Sequence, residues 1–128
     1  MAPRFLELPE VLEIHRYQIQ RYGGSPGVRD IALLQSALAM PRAGTAREYL
    51  HADLIEMAAA YLYHIVRNHP FVDGNKRAGA VAALVFLDLN RVEVKIPDDD
   101  LVEVVVSVAE GKTPKSSIAE FLRDHAAR

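Results

Sequence analysis

The 128-residue chain contains no cysteine, which excludes a disulfide framework, a thiolate metal site and a thiol nucleophile. It also lacks a charge excess: 15 Lys and Arg stand against 17 Asp and Glu, a net charge of -2. A general nucleic-acid binder shows a basic stripe, so direct nucleic-acid binding is not expected and a helical DNA-binding repressor fits poorly. Long hydrophobic runs are absent as well. The first ten residues carry no apolar h-region of the kind a secretory signal needs. The longest near-apolar stretch, Ala78 to Leu89, is too short to cross a bilayer and is broken by Asp88. There are no repeats, low-complexity tracts or linkers. These absences predict a soluble, cytoplasmic protein with no membrane association, folded as one domain over residues 1–128.

What is present is helical periodicity punctuated by glycine and proline. Pro9 starts a first helix whose Val11, Leu12, His15, Ile19 and Tyr22 share a face, and Gly23-Gly24 ends it. Asp30 N-caps a second helix with Ile31, Leu34 and Leu38 on one side, stopped by Pro41. Residues 41–51 show no periodicity and read as a loop or flap. Asp53 opens a third helix to about Asn68, with Leu54, Ala58, Tyr61, Leu62 and Ile65 inward. A fourth, from about Asn75 to Asn90, is apolar on nearly every side and is predicted to be the central buried helix. Val92 to Ile96 alternates like a short strand. Pro97 and the three aspartates after it start a helix ending at Gly111. A last helix starts at Thr113-Pro114 or at a Ser117-x-x-Glu120 capping box and runs to the C-terminus. The pattern predicts an all-α, compact bundle of about six helices.

The chemistry concentrates between the third and fourth helices, in His69-Pro-Phe-Val-Asp-Gly-Asn-Lys-Arg77. Pro70 is expected to hold His69 in an extended conformation. Asp73-Gly74 makes a tight turn, and Gly74 can take backbone angles closed to other residues. Exposed N–H groups at a helix start form an anion site, which Gly74 lets a ligand approach closely. Lys76 and Arg77 in that first turn oppose the helix dipole, a conflict that a bound anion removes. Asp73 is positioned to hold a magnesium ion, which binds phosphate ligands through one or two carboxylates. His69 is the nearby group able to accept a proton near neutral pH. Taken singly, His69 reads as a helix-terminal cap, the two cations as solvated charge, and Asp73-Gly74 as a plain turn. Their joint spacing is what those readings leave unexplained.

The segment resembles the Fic/Doc family, whose pattern is His-x-Phe-x-(Asp/Glu)-(Gly/Ala)-Asn-x-Arg, here His69, Phe71, Asp73, Gly74, Asn75 and Arg77. At average residue usage these identities arise at a given start with probability of about 10⁻⁸, so chance does not account for them. Arg21-Tyr-Gly-Gly-Ser-Pro-Gly27, Arg29-Asp30 and Leu33 to Leu38 are similar to the N-terminal region of death-on-curing (Doc) toxins. The resemblance implies that His69 is the general base for a protein hydroxyl and that Phe71 anchors the loop. It implies that Asp73 holds Mg²⁺, that Gly74 and Asn75 build the phosphate nest, and that Arg77 binds nucleotide phosphates, which Lys76 joins from its own place in the first turn. Adenylylating Fic enzymes have glycine where this chain has Lys76 and a second arginine where it has Ala80. Both departures resemble the Doc branch, in which the γ-phosphate of ATP is transferred.

The activity implied is phosphorylation of a Ser or Thr hydroxyl, with translation elongation factor Tu as the target and translation inhibition as the result. The alternatives are AMP transfer by a Fic-type adenylyltransferase and an inactive Fic-fold adaptor. The resemblance also implies a cognate antitoxin acting in trans, laying a helix along the bundle. The internal inhibitory pattern of other Fic proteins is absent, Ser107-Val-Ala-Glu110-Gly111 being one residue short. Within residues 41–51, Arg42 to Tyr49 occupies the place of the family's target-aligning flap, with Arg47 and Tyr49 as its candidate contacts; the alternative is an ordinary surface loop. The remaining histidines, His15, His51, His64 and His125, read as structural or surface groups; His64, four residues before Asn68, is close enough in sequence to approach the site, but no metal-binding pair emerges. Arg67 and Asn68 lie close enough in sequence to approach the phosphates.

Overall fold

A computed structural model describes residues 2–45 and 48–127. Six helices follow in order: α1 (Leu8–Tyr22), α2 (Ile31–Ala39), α3 (Leu54–Asn68), α4 (Asn75–Leu89), α5 (Asp98–Ala109) and α6 (Lys115–Asp124). The described residues form isolated β-bridges but no strand, so the all-α expectation holds.

Local chemistry explains most of the helix ends. Glu7 caps α1, and Glu7 and Glu10 form a reciprocal capping box, although Glu is not a favoured N-cap. Asp30 and Asp53 each accept a backbone N–H from the third residue onward, at 3.0 and 2.9 Å, and so start α2 and α3. Pro114 precedes α6, which leaves Ser117 inside the helix rather than at a capping box. The Val92 to Ile96 segment becomes a single bridge, Val94 to Ala126, flanked by Lys95 N–H donating to the His125 carbonyl. One partner segment at the chain's end is too little for a strand.

α4 is buried through Ala78, Gly79, Ala80, Ala82, Ala83, Phe86 and Leu87, but Val81, Leu84 and Val85 are only half-buried and Leu89 is exposed, so it is not enclosed on every side. α3 shares the centre with it. It packs on α2, α4, α5 and α6, and buries Ile55, Met57, Ala59, Ala60 and Val66 besides Ala58, Tyr61, Leu62 and Ile65. A helix touched on so many sides is buried beyond the stripe that its periodicity marks. The α3–α4 contact depends on Gly79: a Cβ there would stand 2.7 Å from Val66 Cγ2 and 3.2 Å from the Leu62 carbonyl oxygen. Each large apolar side chain buried in this core, Phe71 and Phe86 among them, contributes about 1.5–3 kcal/mol. This packing holds the C-terminus of α3 and the N-terminus of α4 side by side.

Candidate active site

The six residues between α3 and α4 make the link. His69 ends α3 in the left-handed region, at φ 51° and ψ 52°, with its N–H donating to the Ile65 carbonyl at 3.2 Å. The expected extended conformation is therefore wrong. The proline restraint is overcome because the chain must turn back at once to start α4, and a left-handed C-cap gives that reversal. Arg29 supports it from outside, its Nε donating to the His69 carbonyl at 2.7 Å and its guanidinium to the Asn68 carbonyl at 3.1 Å. Phe71 is fully buried and anchors the loop.

Asn75 organises the interior of the turn. Its Oδ1 accepts the Phe71 N–H at 2.9 Å and its Nδ2 donates to the Phe71 carbonyl at 3.0 Å. Those two bonds fix the amide orientation, which leaves Nδ2 to donate to His69 Nδ1 at 3.1 Å. In the neutral ring the proton then sits on Nε2. Asn75 is only 4% exposed, whereas His69, Asp73, Lys76 and Arg77 are exposed.

Asp73 is held by backbone donors on both carboxylate oxygens. Ser25 N–H reaches Oδ2 at 3.1 Å and Gly74 N–H reaches Oδ1 at 2.8 Å. These two bonds, and then the charges of Lys76 and His15, hold its carboxyl below the usual carboxylate range. Each oxygen keeps a lone pair for a further partner. The described residues contain no group of three His, Asp or Glu that could cage a metal. The donor set therefore fits a Mg²⁺ that arrives with phosphates and water for its other ligands, and does not fit an all-protein metal centre.

Gly74 precedes α4 at φ 77° and ψ 18°, and no side chain caps the helix start. The first-turn N–H groups are left for an anion. Lys76 and Arg77 have no ion-pair partner among the described residues. The Arg77 guanidinium lies over the Tyr22 ring, 4.6 Å from its centroid. Ala80 is 8% exposed and presents no cation to the site.

Some candidates are not brought to this site. Arg67 turns to the C-terminus of α5, donating to the Ala109 carbonyl at 3.1 Å. The Asn68 amide donates to the Leu33 carbonyl at 3.0 Å. His64 meets Lys115 at 2.9 Å, on the α6 side of α3. In residues 41–51, Gly44 bridges to Tyr49, and Tyr49 packs edge-on against Phe5, which stacks on Phe86. Arg47 lies outside the described residues.

Other contributors were not legible. His15, read as one of several structural or surface histidines, is buried against Phe71 and bonded to the Asp73 carbonyl. Ser25, Arg29 and Tyr22 fall in the N-terminal stretch that carries the family resemblance, but only the pairing of residues 22–30 with the loop shows what they do.

Fold and loop together define a class: an all-α bundle whose core helices α3 and α4 are joined by His-x-Phe-x-Asp-Gly-Asn-x-Arg. A family model described as the Fic/DOC family matches residues 5–87. The chain belongs to that family. It is 36% identical over 120 residues to the protein kinase doc of Escherichia phage P1, a match covering 94% of each chain. It is 42% identical over 73 residues to the toxin Doc of Mycolicibacterium smegmatis, covering 57% of this chain and 56% of that one. Both relatives put it on the Doc toxin branch. No helix among the described residues is long and apolar enough to cross a membrane.

Proposed function

We propose that the chain, acting as one domain over residues 1–128 in the cytoplasm, is a Doc-type toxin that phosphorylates a protein hydroxyl with ATP. The observation that carries this reading is the exposed His69 ring, on a loop that Asn75 ties down through both backbone groups of Phe71, beside the uncapped start of α4. That arrangement couples a proton acceptor to an anion site. Identity with a relative called a protein kinase supports the same reaction over AMP transfer.

Gly74, the first-turn N–H groups of α4, Lys76 and Arg77 hold the phosphates, for which Arg77 leaves the Tyr22 ring. Asp73 takes Mg²⁺, which when bound neutralises developing charge on the phosphates. The target hydroxyl oxygen forms its bond to the γ-phosphorus as the bond to the ADP oxygen breaks, and the hydroxyl proton goes to His69 Nε2. That nitrogen must be bare at the time, so the ring proton moves to Nδ1 and the Asn75 contact is given up. Positioning and charge stabilisation supply the rest.

The target is translation elongation factor Tu, and restraint comes from a cognate antitoxin in trans. Elongation factor Tu incubated with the purified chain, ATP and Mg²⁺ should gain one phosphate by intact mass. His69→Ala should lower the rate by about 10²–10⁴-fold. A gain of AMP would establish the adenylyltransferase alternative, and no gain with the wild type would discard both.

A further inference from the structure

His15 lies 58 residues before Asp73 in the chain, and nothing in the transfer chemistry described above uses it. It is 4% exposed. Its ring stacks on Phe71 at a centroid distance of 3.7 Å and an interplanar angle of 3°. Its Nε2 is 2.8 Å from the Asp73 carbonyl oxygen. Because a carbonyl only accepts, Nε2 carries the hydrogen. A Cβ at Gly74 would stand 3.5 Å from this same nitrogen, so the ring also walls the turn where the helix start opens. One side chain on α1 thus touches the anchor of the loop, the backbone of the proposed metal ligand and the edge of the proposed nest.

We propose that His15 is a positioning residue for phosphoryl transfer. Its N–H and its ring clamp residues 71–74 in the shape that presents the Asp73 carboxylate to Mg²⁺ and the N–H groups following Gly74 to the nucleotide. Asn75 holds the same loop from the α4 side through both backbone groups of Phe71. Phe71 is thereby gripped by Asn75 at its peptide groups and by His15 at its ring. The ring contact could serve packing alone. The bond to the Asp73 carbonyl does more: it orients the peptide joining the metal ligand to the nest, and that orientation decides where both groups point.

Two substitutions separate these roles. His15→Phe keeps a flat ring against Phe71 and removes the donor; His15→Gln keeps a donor at similar reach and removes the ring. The kinetic arm rests on the phosphotransfer reading. There His15→Phe should lower kcat/KM on the order of 10²-fold, the scale of an ångström-sized misplacement. It should also raise the Mg²⁺ concentration for half-maximal rate, while His15→Gln recovers at least about tenfold of the loss. The second arm needs no activity. In His15→Phe, amide hydrogen exchange at Gly74 and Phe71 should quicken at least about tenfold while the Tyr61 to Ile65 amides in α3 keep their protection. Loop exchange like that of the wild type would overturn the proposal, and so would equal loss in both variants with core protection also gone. If the wild type transfers nothing but His15→Phe loosens the loop selectively, the clamp stands and the phosphotransfer reading falls.

Discussion

The Asn75 side-chain amide donates to His69 Nδ1 at 3.1 Å while both its ends are engaged by the Phe71 backbone. The histidine's orientation is thus set by the peptide group of the aromatic anchor two residues after it. Asn75→Ala removes three hydrogen bonds and leaves the buried Phe71 N–H without an acceptor. It should destabilise the fold by about 2–4 kcal/mol. Urea unfolding checks this, and a loss below about 0.5 kcal/mol would show that the amide does not organise the turn.

Gly74 stands at φ 77°, and a Cβ there would meet Ile19 Cδ1 at 3.0 Å. Gly74→Ala should cost about 1–2 kcal/mol from the left-handed backbone alone. The methyl group would also crowd the approach to the first-turn N–H groups. Calorimetric titration with Mg²⁺ and ATP should show affinity falling by more than the lost stability explains. Unchanged affinity in a folded variant would remove Gly74 from the nest.

Lys76 is exposed in the first turn of α4, and Ala80 is buried one turn further on. Ala80 packs in the core, so an arginine there would disturb packing as well as add charge and is a poor test of which group moves. Lys76→Gly is the cleaner one, at a stability loss of about 0.5–1 kcal/mol. With elongation factor Tu offered as the substrate, part of any product should then carry AMP in place of phosphate, read by intact mass. A product carrying phosphate alone would mean that Lys76 does not select the transferred group.

Away from the site, Lys115 Nζ lies 2.9 Å from His64 Nε2 and 3.1 Å from His51 Nε2. Burial, followed by the charges of Lys115 and His51, pushes His64 down to about 4 from its ordinary 6.5. The unfolded chain then binds the proton more readily than the folded one. The stability contribution is present above about pH 6.5, declines as the pH falls, and is gone once His64 protonates near 4. Melting temperature should therefore drop between those values. His64→Gln, which keeps an acceptor for Lys115, should flatten that part of the profile; an unchanged slope would assign the acid sensitivity to other groups.

Much of this was legible because it is local. The Asp30 and Asp53 caps, the breaks at Gly23 and Pro41, and the six helices follow from side chains within a few residues of one another. The loop from His69 to Arg77 was legible for the same reason, its chemistry lying within nine consecutive positions. The errors arose where a distant element intervened. Pro70 alone argues for extended backbone at His69, but the packing of α3 against α4 requires a reversal there. Arg67, next to the segment in sequence but not among its assigned groups, is taken by the open carbonyls at the C-terminus of α5.

By itself, then, the sequence determined the helices and the identity of the groups in the segment from His69 to Arg77, because periodicity, capping and turn chemistry act over short spans of chain. Only the tertiary structure decided how those groups are held. It brought His15, Ser25 and Arg29, from α1 and the turn after it, against a loop some forty to sixty residues later. Such contacts form when separate helices bury their apolar faces together, and no spacing along one segment encodes that meeting.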